Sequence, residues 1–140
     1  MSAGKRRVGN AVLAVGSALA ALVAVAPAAG AAPVRNGTCE AGEFCLYYQY
    51  DLQGSVSDFT TSIANYGSTQ PTCYEFKGAG AGQGQCVKNR ALSGYNRTSH
   101  VVRLYFNSNY GGTYIDFQPN DARDGGLGPL DLNNASHKIL

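Results

Sequence analysis

Cys39, Cys45, Cys73 and Cys86 are the residues of this chain best suited to covalent chemistry. An even count in an oxidising compartment implies disulfides, and four cysteines allow three pairings. Cys39–Cys45 and Cys73–Cys86 are favoured, because each closes a short loop beside a predicted strand. Such loops stabilise by roughly 2–3 kcal/mol each when unstrained. A metal–thiolate site is the competing reading, but the spacings are not C-x-x-C and no histidine lies near them in sequence. Catalysis has little else to draw on. His100 and His137 are the only histidines, and neither an H-E-x-x-H nor a G-x-S-x-G run is present. The glycine run Gly78–Gln85, GAGAGQGQ, lacks the Lys-Ser/Thr ending of a phosphate-binding loop. It reads either as a flexible loop that contacts a partner or as a permissive surface connector. The expectation is a protein that is not an enzyme and carries no cofactor or metal.

The elements that position these residues are strands. In Val102–Phe117, VRLYFNSNYGGTYIDF, Val102, Leu104 and Phe106 alternate with Arg103 and Tyr105, so one face is buried and the other wet. Asn107-Ser108-Asn109 and Gly111-Gly112 then supply residues that tolerate positive φ, as a reversal requires. Fifty-eight residues earlier, Phe44–Phe59 repeats the pattern as FCLYYQYDLQGSVSDF. Leu46, Tyr47, Gly54, Asp58 and Phe59 match Leu104, Tyr105, Gly112, Asp116 and Phe117. The agreement falls on the turn glycine and the apolar anchors, where a shared backbone demands it. This is an internal duplication; the alternative is two unrelated hairpins with similar turns. Asp58 and Asp116, equivalent by repeat, suit pinning of turns better than an acid/base pair.

Between and around the hairpins the expected pieces are short. Strands are expected at Phe44–Tyr50, Ser55–Thr60 and Cys73–Phe76, with a helical turn at Ser62–Tyr66 inside the loop Thr61–Thr72. Ala32–Thr38 reads as a polar lead that frays. No stretch after residue 31 keeps helical periodicity over three turns, so the class is all-β. Asn36, Asn96 and Asn134 begin Asn-x-Ser/Thr triplets, read as turn and strand-edge sequences.

Residues 1–31 have the make-up of a signal peptide: basic Lys5-Arg6-Arg7, the apolar run Ala11–Ala26, and Ala29-Gly30-Ala31 before a cut at Ala32. Cleavage after Ala28 or Ala32 fits as well, and a retained anchor is the alternative. The domain is then 32–140, with eight Lys/Arg against nine Asp/Glu. That balance gives phosphate neutralisation nothing to work with, which argues against nucleic acid and against an anionic membrane surface. A chain of this size is marginal with one core alone, so disulfides are in keeping.

The residues carry a resemblance. Aromatic-x(4)-aromatic-x-Gly with a later serine resembles the Greek-key motif of βγ-crystallins: Tyr105, Tyr110, Gly112 and Ser136 in one copy, Tyr47, Leu52, Gly54 and Ser93 in the other. Leu52 departs from the aromatic. More narrowly, C-x(5)-C-L-Y-Y, VKNRALSGYNRT, LYFNSNYGG and NNASHK resemble the bacterial secreted metalloproteinase inhibitors, peptidase inhibitor family thirty-six. The resemblance implies two duplicated Greek keys in a disulfide-stapled βγ-crystallin-like sandwich or barrel. It further implies a secreted, extracellular, monomeric inhibitor of thermolysin-like zinc metalloproteases. The other reading it leaves open is a non-inhibitory structural or ligand-binding crystallin module with a weak calcium site. Lys88–Ser93 and Asp131–Ser136 match the crystallin cation runs, but Lys88, Leu132 and Ala135 replace oxygen ligands, so no metal is expected. An inhibitor of this kind presents an apolar residue beside the enzyme's zinc, and Cys86, Val87 and Lys88 fit that role.

Overall fold

The computed structural model describes residues 34–140 and, before them, only positions 4, 9, 16, 17, 21, 24 and 25. Apart from those scattered positions, the expected signal peptide, residues 1–31, lies outside the described residues. The chain runs β1 (Phe44–Tyr47), β2 (Val56–Phe59), β3 (Ser93–Asn96), β4 (Val102–Asn107), β5 (Gly111–Phe117) and β6 (Ala122–Arg123). A 3-10 turn, Gly128–Leu130, then leads to β7 (Ser136–Ile139). All lie in Ala31–Leu140, the second of the two units into which the chain divides. Among the described residues no helix is long and apolar enough to cross a membrane.

The two hairpins share one register. Phe44 faces Phe59 across β1 and β2, and Val102 faces Phe117 across β4 and β5. Each folds over through two consecutive left-handed residues and a glycine. These are Asp51, Leu52 and Gly54 (φ 58°, 55° and 75°) in one, and Asn109, Tyr110 and Gly112 (φ 60°, 58° and 77°) in the other. The duplication is one of backbone, not composition. Asp58 and Asp116 then take different partners. Asp58 is buried and accepts the N–H groups of Asn36 and Gly37, both at 2.8 Å, while Asp116 pairs with Arg103 at 2.7 and 2.8 Å.

Two antiparallel sheets result, ordered β2-β1-β3-β6 and β5-β4-β7. β6 follows the second hairpin in sequence yet pairs with β3, which lies beside β1 of the first. The reciprocal exchange is an isolated bridge from Ile63 to His137 of β7. The keys are thus interlocked by their third segments, and the core fills from both sheets. Phe44, Leu46 and Phe59 of one, and Val102, Leu104 and Phe117 of the other, are buried with Leu127 and Leu130.

Several local expectations are corrected. Tyr48–Tyr50 leave the sheet because the folded turn starts there, with Gln49 N–H on Gln53 O at 3.1 Å. Ser62–Tyr66 makes no helical turn: the Ile63 N–H and C=O are both taken by His137, at 2.9 and 3.0 Å. Cys73–Phe76 is no strand but a single bridge, Glu75 to Cys86. Phe106 is exposed and Tyr105 buried, the reverse of simple alternation, because the register shifts between Tyr105 and Asn107. The described part of the lead, 34–38, is pinned rather than frayed. The Arg35 guanidinium lies 4.3 Å over the Phe59 ring and donates to Glu75 O at 2.8 Å, and burial lowers its pKa. Asn96 and Asn134 are fully buried and hydrogen-bonded, so neither side chain is open to modification in the folded chain.

His137 is a buried titratable group packed against the core. Its Nε2 lies 2.8 Å from Thr61 O, which can only accept, so Nε2 carries the proton and Nδ1 accepts the Tyr66 hydroxyl at 2.7 Å. Burial is the main cause that lowers its pKa to about 3; the Thr61 bond opposes it and the charge of Arg35 adds to it.

Two outcomes follow from this packing. A Cβ on Gly112 would sit 2.7 Å from Asn107 Nδ2 at φ 77°, so Gly112→Val should cost about 2 kcal/mol or more in urea unfolding. Gly111, with its nearest neighbour at 3.6 Å and no positive φ, should tolerate Ala for under about 1 kcal/mol; equal costs would refute the turn. For His137, the unfolded chain takes up a proton near pH 6.5 that the folded chain refuses until about 3. Stability therefore falls as pH drops through that window, by about 2 kcal/mol from pH 7 to 5. His137→Gln should flatten the slope between pH 7 and 5, and an unchanged slope would assign the loss elsewhere.

Candidate functional site

The stretch that the crystallin-like repeat does not account for is the connection from β2 to β3, and it holds the second disulfide. Cys39–Cys45 and Cys73–Cys86 are both formed, with Cα atoms 5.9 and 5.6 Å apart. The Cys73–Cys86 loop is closed at its base by backbone bonds as well. Val87 N–H bonds Tyr74 O at 2.8 Å, Phe76 N–H bonds Gln85 O at 2.9 Å, and Gly84 N–H bonds Phe76 O at 2.9 Å.

The glycine run is tied down along its length. Lys77 and Gly78 donate to Val56 O at 2.9 and 3.0 Å, Ser55 N–H donates to Ala81 O at 2.9 Å, and the Ser55 hydroxyl binds Gly78 O. Gly82 lies against the face of Tyr48, where a Cβ would fall 2.2 Å from the ring at φ 87°. Its glycines are thus requirements of close approach and positive φ, not of looseness. The loop exposes Lys77, Gln83 and Gly84 as well as Ala79, Gly80 and Ala81, and those last three, without bulk, stand midway along it at its tip.

The sequence-predicted contact residues fall elsewhere. Val87 has no exposed area and belongs to the core cluster, its carbonyl accepting from Asn134 Nδ2 at 3.0 Å. It cannot enter an enzyme pocket without leaving the interior. Cys86 is 8% exposed. Lys88 is half-buried, its Nζ donating to Ser108 Oγ at 2.9 Å and Asn65 Oδ1 at 3.4 Å. Cys86, Val87 and Lys88 are neighbours of the loop base rather than one exposed surface.

The motif residues do converge as a set. Tyr47 faces Ser93 across β1 and β3, and Tyr105 faces Ser136 across β4 and β7. Ser93 Oγ accepts Leu52 N–H at 3.1 Å and donates to Gln49 O at 2.5 Å. Ser136 Oγ accepts Tyr110 N–H at 3.1 Å and donates to Asn107 O at 2.7 Å. Tyr105 packs on Tyr110 with centroids 5.7 Å apart, a contact that Leu52 removes from the first copy.

The runs matching crystallin cation loops are bonded to each other instead. Asn89 N–H meets Asn134 O at 2.8 Å, and Leu132 N–H meets Ala91 O at 3.0 Å. The Asp131 carboxylate is occupied by Leu127 N–H at 2.6 Å and the Tyr50 hydroxyl at 2.9 Å. Beside these loops is an open hollow of about 680 Å³, lined by Tyr48, Cys86, Lys88, Arg90, Leu92 and Leu132 among others. The sequence reading gave neither Arg90 nor Leu132 a contact role, although aligning Lys88–Ser93 with Asp131–Ser136 sets Leu132 against Asn89.

No curated protein sequence is significantly similar to this chain. Among solved structures it resembles one bearing on the evolution of the eye-lens βγ-crystallin domain fold. The TM-score is 0.55 and identity 15%, over 74% of this chain and 90% of that one. It also resembles a βγ-crystallin from an archaeon, at TM-score 0.50 and 19% identity over 72% and 100% of the two chains. A third is the βγ-crystallin from Ciona intestinalis, at 0.51 and 14% over 71% and 100%. At such identities the likeness is one of fold, and that fold is βγ-crystallin-like. The sequence itself matches the family described as "Peptidase inhibitor family I36" over residues 32–117, from before the first cysteine to the end of β5. With more than half its length covered by that match, the chain belongs to this family of peptidase inhibitors.

Proposed function

We propose that the protein is a secreted, monomeric inhibitor of a thermolysin-like zinc metalloprotease, and that it engages the enzyme through Ala79–Ala81 at the tip of the Cys73–Cys86 loop. One observation carries this reading: the loop is braced before any partner arrives. Its disulfide, the closing backbone bonds and the seat of Gly82 on Tyr48 fix the main chain. A braced loop loses little entropy on binding, and that loss is what weakens flexible ligands. The small residues at the tip let an enzyme cleft reach the main chain, and two alanines offer the apolar contact such a cleft takes. The two disulfides are in keeping with an extracellular partner. A structural or ligand-binding module is the second reading, favoured by the crystallin-like fold.

Titration of the purified secreted protein against thermolysin, with trypsin as control, should show inhibition of thermolysin alone. Ala81→Asp should weaken it by about tenfold or more while leaving the thermal midpoint nearly unchanged. Val87→Asp should instead destabilise the fold by about 3 kcal/mol or more, since the charge would be buried. Inhibition intact in Ala81→Asp would move the contact off the loop tip. Absence of inhibition by the wild type against several zinc proteases would favour the structural module.

A further inference from the structure

The two keys contain their own control for what the backbone asks of a residue. Asn89 and Leu132 hold equivalent places, at φ 59° and 55°, and each donates its N–H to a carbonyl of the opposite loop. The left-handed conformation is a demand of the fold at both positions. Asn meets it at low cost, whereas Leu brings a γ-branched side chain that the region disfavours. Nor does the core require leucine, since Leu132 is 51% exposed.

Leu132 stands on the rim of the hollow of about 680 Å³ whose walls include the Tyr48 ring and Leu92. Two cations line it, and both rest on neutral groups: Lys88 on Ser108 and Asn65, Arg90 Nη1 on Gln85 Oε1 at 2.6 Å. No carboxylate is among its lining residues. An aliphatic rim, an aromatic wall and two cations without counter-charge suit an apolar side chain next to a carboxylate. The hollow also reaches Cys86, the disulfide that closes the loop assigned above to the enzyme, so one partner can touch both.

We propose that this hollow is a second contact for the inhibited protease, receiving an acidic segment of it with Leu132 as apolar anchor and Lys88 and Arg90 as charge complement. The inference rests on the inhibitor reading. Its test is Leu132→Asn, which copies the residue of the equivalent position. This variant should raise the thermal midpoint by about 2–6 °C, through relief of the backbone conformation, and weaken thermolysin inhibition by about tenfold. The double variant Lys88→Gln/Arg90→Gln should flatten the salt dependence of the association rate. Inhibition unchanged in Leu132→Asn, with the wild type active, overturns the second contact and leaves the inhibitor reading standing. A lowered midpoint overturns the argument from backbone cost. Wild type inactive against every zinc protease tried removes the inhibitor reading and this contact with it. Saturable binding of benzoate in the hollow with inhibition insensitive to Leu132→Asn would assign it to small organic anions. Self-association that Leu132→Asn abolishes would assign it to a second copy, and either result overturns the proposal.

Discussion

A serine hydroxyl crossing from the last strand of each key to the folded hairpin is the interaction on which the rest of the structure depends. Ser93 and Ser136 each accept one N–H from a left-handed residue and return a proton to a carbonyl of the same turn. Two consecutive non-glycine residues at positive φ are costly, and their N–H groups have no ladder partner. The hydroxyl supplies the partner for the second of each pair, Leu52 or Tyr110, while Asp51 and Asn109 donate to Asp124 O and Ala64 O. Because Ser93 lies opposite Tyr47 and Ser136 opposite Tyr105, the same bond fixes which strand runs beside the first strand of each key. Turn geometry and sheet order are therefore one constraint rather than two.

Interlocking then makes the halves interdependent. β6 completes the first sheet and the Ile63 bridge extends the second, so neither key closes its core alone. The second key joins Phe117 to Ser136 through a short strand and a 3-10 turn. The first joins Phe59 to Ser93 by a longer path and shrinks its exchanged strand to one bridge. The extra length becomes the Cys73–Cys86 loop. The duplicated fold supplies the frame, and this loop is where the first key departs from the second.

What could be read from the sequence follows the range of the forces involved. The hairpin repeat, the positive-φ glycines and both disulfides were legible because local chemistry dictates them: glycine meets the φ of positions 54 and 112 at least cost, and short cysteine spacings restrict pairing. The serine tethers, which span 26 to 44 residues, were legible only through the resemblance to the crystallin motif. The exchange of third strands was not legible, because Ile63–His137 and the β3–β6 pairing join distant segments with no local signature. Arg35 illustrates the same limit. A polar lead with a proline looks frayed until Phe59, Tyr74 and Glu75 O are brought to it by the fold. The glycine run misled in the opposite direction. Composition signals freedom, whereas contacts with Tyr48, Val56 and Ser55 remove it.

The misplacement of Val87 bears on how a disulfide serves such a loop. An apolar residue next to a cystine suggests presentation, as if the bridge held the side chain outward. Here the bridge sits at the base, where Val87 N–H meets Tyr74 O and its side chain joins the core. Cross-linking and exposure are then separated along the chain. The base is buried and cross-linked so that the tip, several residues away, can be small and exposed while its backbone stays fixed. A side chain of 0% exposure contributes to recognition only by holding that base, and a change there acts on stability before it acts on binding.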